Sequence, residues 1–304
     1  MTTTDIFRVD SWRGYIGQDK MKKRISLNIE SAQNRRAERL DHVFLHGPSG
    51  CGKTTFASLI AKKGNRHFLS TCAPFDGMAL VKAVAGNRGV LFIDEFHRFS
   101  KSQQEEWLTF LEDGFIHTKE GTKIENRRLT IIAATTERES IEKAVLDRFM
   151  IRPEFQPYTD QEMTKIAVGM LQTAKELEFK SKEERNQYAK AFASAAAGVP
   201  RNISRLVLTL RDLGNQSSVE QVLALCDVTE DGLTELQVKY LTALHKNGGR
   251  MGAANMAVIL QLNSSMLKDV EMLFVERGWV EWTARGRTLT GDGYARTMDL
   301  VLED

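Results

Sequence analysis

The residues with the most chemistry to offer lie in one stretch, Gly47-Pro48-Ser49-Gly50-Cys51-Gly52-Lys53-Thr54-Thr55. Its spacing fits G-x-x-x-x-G-K-[ST], a phosphate-binding loop. Gly47, Gly50 and Gly52 let the backbone turn tightly and aim N–H groups at phosphate oxygens. Lys53 has the reach for β- and γ-phosphates, and the Thr54 hydroxyl, with Thr55 beside it, can hold Mg²⁺. Cys51 reads as a space-filling side chain inside the loop. Roughly forty residues on, Gly89-Val90-Leu91-Phe92-Ile93-Asp94-Glu95 is an apolar run that ends in two acids. Asp94 at a strand end suits Mg²⁺, and Glu95 suits polarising an attacking water.

These groups need a scaffold, and the flanking pattern supplies one. His42–His46 reads as a buried strand before the loop, and Thr55–Ala61 as a helix after it. The N-terminus of that helix adds partial positive charge for a phosphate. His67–Ser70 is a short strand, followed by a helix around Met78–Ala85. Ser102 with Glu105 predicts a capping box for a helix through Leu111, with Trp107, Leu108 and Leu111 toward the core. Phe115–Thr118 and Lys123–Glu125 flank Lys119-Glu120-Gly121-Thr122 as a polar hairpin. Leu129–Thr136 is another buried strand with a polar end. Ligands gather at the C-terminal ends of parallel strands, which puts Thr136 at the site. Asp147-Arg148-Phe149 closes the next helix. Arg148 there is either a surface charge or an arginine finger for the γ-phosphoryl group.

The N-terminal residues 1–18 read as an arm ending in Tyr15-Ile16-Gly17-Gln18. A helix from about Lys20 carries Met21, Ile25 and Ile29 on one face. Lys22, Lys23, Arg24, Arg35, Arg36 and Arg39 make the other face basic, more in the manner of a solvated face than of a nucleic-acid surface. From Thr159 the pattern turns helical. Thr159 with Glu162 and Ser181 with Glu184 are capping boxes, and Gly198-Val199-Pro200-Arg201 opens a third helix through Leu213. A cation at a helix start is disfavoured by the dipole, so Arg201 is either a solvated charge or the partner of an anionic ligand. Leu213–Ser218 is a turn. Thr234 with Gln237 then caps a helix bearing Leu236, Tyr240, Leu241 and Leu244, and Ala253–Leu260 and Ser265–Arg277 give two more. Trp279–Thr283, a turn Ala284-Arg285-Gly286-Arg287 and Thr288–Thr290 complete a winged-helix pattern. Arg285 and Arg287 on that turn are the candidate DNA-phosphate contacts.

The chain has 304 residues, enough for two or three domains with real cores. A net charge of +2 is too mild to signal nucleic acid by itself, so any DNA contact must be a local patch. Acidic and basic residues nearly balance from Leu233 to Asp304, which leaves only the wing tip basic. The three cysteines, Cys51, Cys72 and Cys226, have no metal spacing and suit a reducing cytoplasm. No apolar run reaches the length of about 18 residues that spans a membrane, and Met1–Asp5 is no signal peptide. These features predict a soluble cytoplasmic protein.

Taken in this order and spacing, the motifs resemble those of the RuvB family, AAA+ motors that drive Holliday-junction branch migration. Phe7-Arg8 and Tyr15-Ile16-Gly17-Gln18 resemble the family's adenine-side motif, and Tyr158 joins them as a nucleotide-binding residue. Leu40–Val43 leading into the loop, and Leu91–Ser100, are close to the family's wording. Thr136 resembles sensor 1, Arg148 the arginine finger and Arg201 sensor 2. Asp231-Gly232-Leu233 and Gly278–Arg287 resemble its winged helix. The resemblance implies an α/β fold: an AAA+ P-loop NTPase core over residues 1–156, a helical lid over 157–230 and a winged-helix DNA-binding domain over 231–304. It implies ATP with Mg²⁺, Lys53, Glu95, Thr136, Arg148 and Arg201 as the catalytic set, duplex or junction DNA as substrate, and a homo-oligomeric ring, a hexamer, with the finger acting in trans.

Three positions depart from the family. The hairpin is shorter and its tip Thr118–Thr122 is polar, where the family docks its partner RuvA through an apolar tip. This predicts no standard RuvA dock through the hairpin. Leu146 stands where the family often has Arg, and Trp282 where its wing often has a basic residue. Two other functions share parts of the pattern. A clamp-loader or helicase-loader ATPase has the same core but needs no winged helix. A non-catalytic DNA-binding regulator would not need Glu95, Thr136, Arg148 and Arg201 together.

Overall fold

The computed structural model describes residue 7 and residues 9–75, 88–117, 123–214 and 217–302. Arg8, the expected helix at Met78–Ala85 and the hairpin tip Thr118–Thr122 lie outside the described residues. The chain divides into two compact units. One takes Met1–Ala193 and Gly198–Val207, the other Ser194–Ala197 and Leu208–Asp304.

The first unit is built on a parallel sheet. Its strands are β1 (Val43–His46), β2 (His67–Cys72), β3 (Gly89–Asp94) and β6 (Leu129–Thr135), in the order β1-β6-β3-β2. Alternate residues serve opposite faces. Val43, Leu45, Val90, Phe92, Ile132 and Ala134 pack on one side with Ile25, Ile29, Phe56 and Ile60. Those partners come from α1 (Asp19–Asn34) and α2 (Lys53–Lys63). Phe44, Leu91, Ile93, Ile131 and Ala133 pack on the other with Trp107, Phe110, Val145 and Phe149. Burial on both faces is why β1, β3 and β6 read as continuous apolar runs instead of alternating ones, while the edge strand β2 stays partly exposed. Each large aliphatic or phenylalanine side chain among them contributes about 1.5–3 kcal/mol on burial.

Beside β1 runs a further extended segment. Phe44 N–H donates to Ile151 O at 2.8 Å and Phe155 N–H to His46 O at 2.8 Å. Residues 151–154 carry Pro153, which tolerates only an edge position, and no periodic pattern announced them.

The helix after β3 corrects one expectation. α3 spans Lys101–Asp113 and is capped by Ser100 with Gln103, not by Ser102 with Glu105. The buried amide of Gln104 decides this. It donates to Phe99 O at 3.1 Å and Ser140 O at 3.3 Å, and accepts from Glu142 N–H at 2.9 Å. Those bonds pin the chain just before Lys101 and leave Ser102 inside the first turn. A hairpin of β4 (Phe115–His117) and β5 (Lys123–Glu125) leads toward β6, and α4 (Lys143–Asp147) ends at Arg148. α5 (Asp160–Thr173) has its capping box at Thr159 and Glu162. α6 (Lys182–Ala195) follows, then α7 (Pro200–Leu213), with proline at the first helical position where its missing N–H costs nothing.

In the second unit a short α8 (Val219–Leu225) is capped by Ser218 and Gln221, directly after the stretch read as a turn. The winged-helix region contains α9 (Glu235–Lys246), β7 (Arg250–Met251), α10 (Ala253–Leu260), α11 (Ser264–Glu276), β8 (Val280–Thr283), β9 (Gly286–Leu289) and α12 (Gly291–Leu302). Its core gathers Leu233, Tyr240, Leu244, Met256, Phe274 and Leu289. The sheet order is β7-β9-β8. β7 and α12 were not foreseen, because two residues are too few to show a period and α12 begins at a Gly-Asp-Gly that reads as a loop.

The wing corrects a second expectation. Thr283 pairs with Gly286, so the turn is only Ala284-Arg285 and Arg287 lies within β9. Its guanidinium turns to Glu271 of α11, with Nε to Oε1 at 2.7 Å and Nη2 to Oε2 at 2.9 Å. Glu271 is fully buried. A buried carboxylate without a cation is costly, so this pairing holds Arg287 against α11. Arg285 alone stays on the tip.

Candidate functional site

The phosphate loop runs from the end of β1 to the start of α2, as the spacing required. Gly50 and Gly52 have φ of 77° and 99°, the left-handed region that favours glycine. Space is short as well. A Cβ on Gly52 would sit 2.8 Å from the Tyr15 hydroxyl, and one on Gly50 2.9 Å from Arg201 Cβ. Lys53 is 6% exposed, and its Nζ donates to Gly47 O at 2.8 Å and Pro48 O at 2.9 Å. The ammonium is therefore held within the loop by neutral carbonyls, a weaker hold than an anion would offer.

The acidic end of β3 opens into a cleft, while Thr136 after β6 does not line it and reaches it only through Glu95. Asp94 and Glu95 line it together with Lys53, Thr54, Thr55 and Arg201, around a cavity of 220 Å³. Burial raises the Asp94 pKa and the Glu95 charge adds to this. The Glu95 N–H, which donates to Asp94 Oδ1 at 3.0 Å, pulls the other way, as do Lys53 and Arg201. A carboxylate so placed gains from a divalent cation. Glu95 itself has φ of 50°, a left-handed conformation that costs a non-glycine residue on the order of 1 kcal/mol. Thr136 Oγ1 reaches Glu95 Oε2 at 3.5 Å. Arg201 Nη1 donates to Ser49 Oγ at 3.1 Å, which carries the start of α7 across the phosphate loop.

A second cavity of 510 Å³ adjoins, lined by Phe7, Val9, Tyr15, Ile16, Tyr158 and Met170 among others. The two tyrosines do more than line it. Tyr158 OH donates to Cys51 O at 2.9 Å, Tyr15 OH lies 3.5 Å from Gly52 O, and the hydroxyls are 3.2 Å apart. Burial pushes Tyr158 up to about 12 and Tyr15 well above its usual value, so both remain donors. They hold two loop carbonyls on the side away from the cleft. The buried Cys51 thiol is likewise raised by burial, with Lys53 opposing.

The donor set fits a magnesium nucleoside triphosphate. Lys53 and Arg201 would supply positive charge to phosphates, Thr54 and Asp94 would offer hard oxygens, and Mg²⁺ is ordinarily held by one or two such groups plus phosphates. Among the described residues no cluster of three His, Cys, Asp or Glu suggests any other metal. Arg148 does not line the cleft of its own chain. It pairs with Glu112, with Nε at 3.1 Å and Nη2 at 2.9 Å from Oε2. Arg285 and Arg287 belong to the second unit. The sequence reading missed Ser49, Met170 and His97. Ser49 lies inside the phosphate-loop stretch and His97 two residues beyond Glu95 in the acidic run, whereas Met170 left no signal.

Comparison with known proteins meets this geometry. Residues 7–155 match the Holliday junction DNA helicase RuvB P-loop domain, and residues 230–297 the RuvB C-terminal winged helix domain. The chain is 32% identical to the Holliday junction branch migration complex subunit RuvB of Sulfurimonas denitrificans, covering 94% of this chain and 89% of that one. The chain belongs to the RuvB family. The corresponding Wolinella succinogenes subunit is 31% identical over 94% of this chain and 90% of its own. The solved Thermotoga maritima RuvB Holliday junction branch migration motor superposes with a TM-score of 0.77 at 28% identity, covering 96% of this chain and 98% of that one. A RuvB P-loop domain is a nucleotide-binding domain, and the cleft above is where its parts converge. Among the described residues no helix is long and apolar enough to cross a membrane.

Proposed function

We propose that this chain is an ATP-driven motor of the RuvB type, which moves duplex DNA and branch-migrates Holliday junctions. The observation that carries the reading is one cleft that holds Lys53, Thr54, Asp94, Glu95 and Arg201 in a chain of which 94% aligns with a RuvB subunit. In this reading residues 1–156 are the ATPase core, 157–230 the lid and 231–304 the DNA-binding domain. Lys53 and Arg201 hold the β- and γ-phosphates. Mg²⁺, held by Thr54 and Asp94, would neutralise phosphate charge. Glu95 takes a proton from the attacking water as the bond from the γ-phosphorus to the bridging oxygen breaks, and Thr136 orients that carboxylate. Arg148 acts on the site of a neighbouring copy, so turnover requires a ring, a hexamer by family. The adenine side is formed by Phe7, Arg8, Tyr15, Ile16 and Tyr158. The protein works in the cytoplasm, and the polar tip Thr118–Thr122 argues for loading without a RuvA docked on that hairpin.

A loader of protein rings is less favoured, because the winged-helix match is complete in kind. A non-catalytic regulator would not keep Glu95 in a strained conformation beside Lys53. The test is ATP turnover with and without DNA, followed by unwinding of a four-way junction. DNA-stimulated hydrolysis and junction dissociation are expected. Lys53→Ala should bind no ATP, and Glu95→Gln should bind but turn over very slowly. Normal turnover by Glu95→Gln, or turnover with intact junctions, would refute the assignment.

A further inference from the structure

Glu95 has a neighbour that the roles above leave unused. His97 sits on the single 3₁₀ turn Phe96–Arg98 directly after Glu95, and its side chain is 14% exposed. Its Nδ1 lies 2.9 Å from Thr135 Oγ1 and 3.3 Å from Glu95 Oε2. At the other end of the ring, Nε2 lies 3.6 Å from Glu137 Oε1, on a side chain that is 60% exposed. A lone pair on Nδ1 would confront the lone pairs of the Glu95 carboxylate. The Glu95 carboxylate favours a proton on Nδ1, whose N–H then donates to Thr135 Oγ1 at 2.9 Å with Glu95 Oε2 beside it at 3.3 Å as an electrostatic partner.

Thr135 is the last residue of β6 and is fully buried. Its hydroxyl also accepts the Glu137 N–H at 2.9 Å. The next residue, Thr136, approaches the same oxygen of Glu95 at 3.5 Å. The carboxylate is thus approached by two groups anchored on one strand end, one directly and one through the imidazole.

We propose that His97 is a positioning residue: through Nδ1 it ties the Glu95 carboxylate to the end of β6 and holds it in the orientation that polarises water. This rests on the assignment of Glu95 as the water-polarising group. A histidine suits the task because its rigid ring places one nitrogen toward Thr135 and Glu95 while the other faces Glu137 and solvent. An asparagine can put an amide N–H near the Nδ1 position. A leucine keeps the bulk and loses the hydrogen bond.

The experiment compares the full-length protein with His97→Leu, His97→Asn and Glu95→Gln, reading kcat, KM for ATP, nucleotide affinity and thermal midpoint. Misplacing a reacting group by about 1 Å costs on the order of 10²-fold in rate. His97→Leu should lose about that much in kcat with KM, nucleotide affinity and thermal midpoint unchanged, and His97→Asn should recover most of the loss. Wild-type kcat in His97→Leu, with Glu95→Gln inactive, would overturn the role of His97 and leave the motor reading intact. Equal loss in both His97 variants together with lost ATP binding or a lower thermal midpoint would reduce His97 to a structural residue and overturn it as well. Normal turnover in Glu95→Gln would remove the assignment on which the role depends.

Discussion

Arg287 shows how one buried charge reassigns another residue. Glu271 has no solvent contact and is held by the Arg287 fork and by Tyr240 OH at 3.2 Å. Burial raises the Tyr240 pKa and the Glu271 charge raises it further, so the phenol stays a donor. Arg287→Ala should destabilise the protein by about 3–5 kcal/mol, the cost of leaving a buried charge without its partner. Removing Glu271 as well should recover much of it, which denaturant unfolding of both variants will measure. Arg285→Ala should leave stability unchanged and lower the salt slope of DNA binding by about one unit, measured by titration at several ionic strengths. A stable Arg287→Ala with a reduced slope would return Arg287 to the DNA. His42 makes a different point. Burial, with Arg39 adding to it, lowers its pKa from 6.5 to about 3. Its Nδ1 accepts the Ile131 N–H at 2.9 Å. Between pH 6.5 and 3 the unfolded chain binds a proton that the folded chain refuses. This contribution is therefore complete above 6.5 and is lost as pH falls toward 3. Thermal midpoints from pH 7 to pH 4 should fall less steeply for His42→Gln than for the wild type.

At the scale of the element, helix starts were the most legible feature, and α3 is the instructive exception. Ser100-x-x-Gln and Ser102-x-x-Glu both satisfy the capping pattern two residues apart. Local chemistry does not separate them. The tertiary bonds of Gln104 do, because they fix where Phe99 and Ser100 must lie. Ser100→Ala should cost about 1 kcal/mol, the usual value of a lost N-cap, and Ser102→Ala only a few tenths. Chemical denaturation of the two variants decides between the caps, and the reverse ranking would restore the one read from sequence. The strands behave otherwise. β1, β3 and β6 are dense in β-branched and aromatic residues and are buried on both faces, so their pattern leaves no competing period.

For the whole molecule, the decisive residue is Arg148, which rests against Glu112 and not in the cleft of its own chain. As the proposed finger it would serve a neighbouring copy. A mixture of Arg148→Ala and Lys53→Ala subunits should therefore regain hydrolysis that neither shows alone, since a sound phosphate loop on one copy can meet a sound finger on the next. Fingers of this type are worth about 10³–10⁵ in rate, so even partial recovery stands clear of background. The readout is phosphate release against mixing ratio. Mixed rings that form but stay inactive would place the action of Arg148 in cis.

What the amino-acid sequence determined by itself is whatever local spacing encodes. The phosphate loop, the acidic end of β3, the cap at Thr159 and proline at the start of α7 each need only a few neighbouring residues to be recognised. Tertiary structure decided whatever depends on partners distant in the chain. Residues 151–154 become a sheet edge only because β1 lies beside them. Arg201 meets Ser49 across 152 positions, and Tyr158 meets Cys51 across 107. Arg287 reads as a tip arginine until the register of β8 with β9 turns it toward Glu271. His97 reads as part of a motif until the end of β6 is set beside it. For Arg287 and Glu271 the deciding energy is the desolvation of a charged group, which sequence spacing does not express because burial is a property of the folded chain.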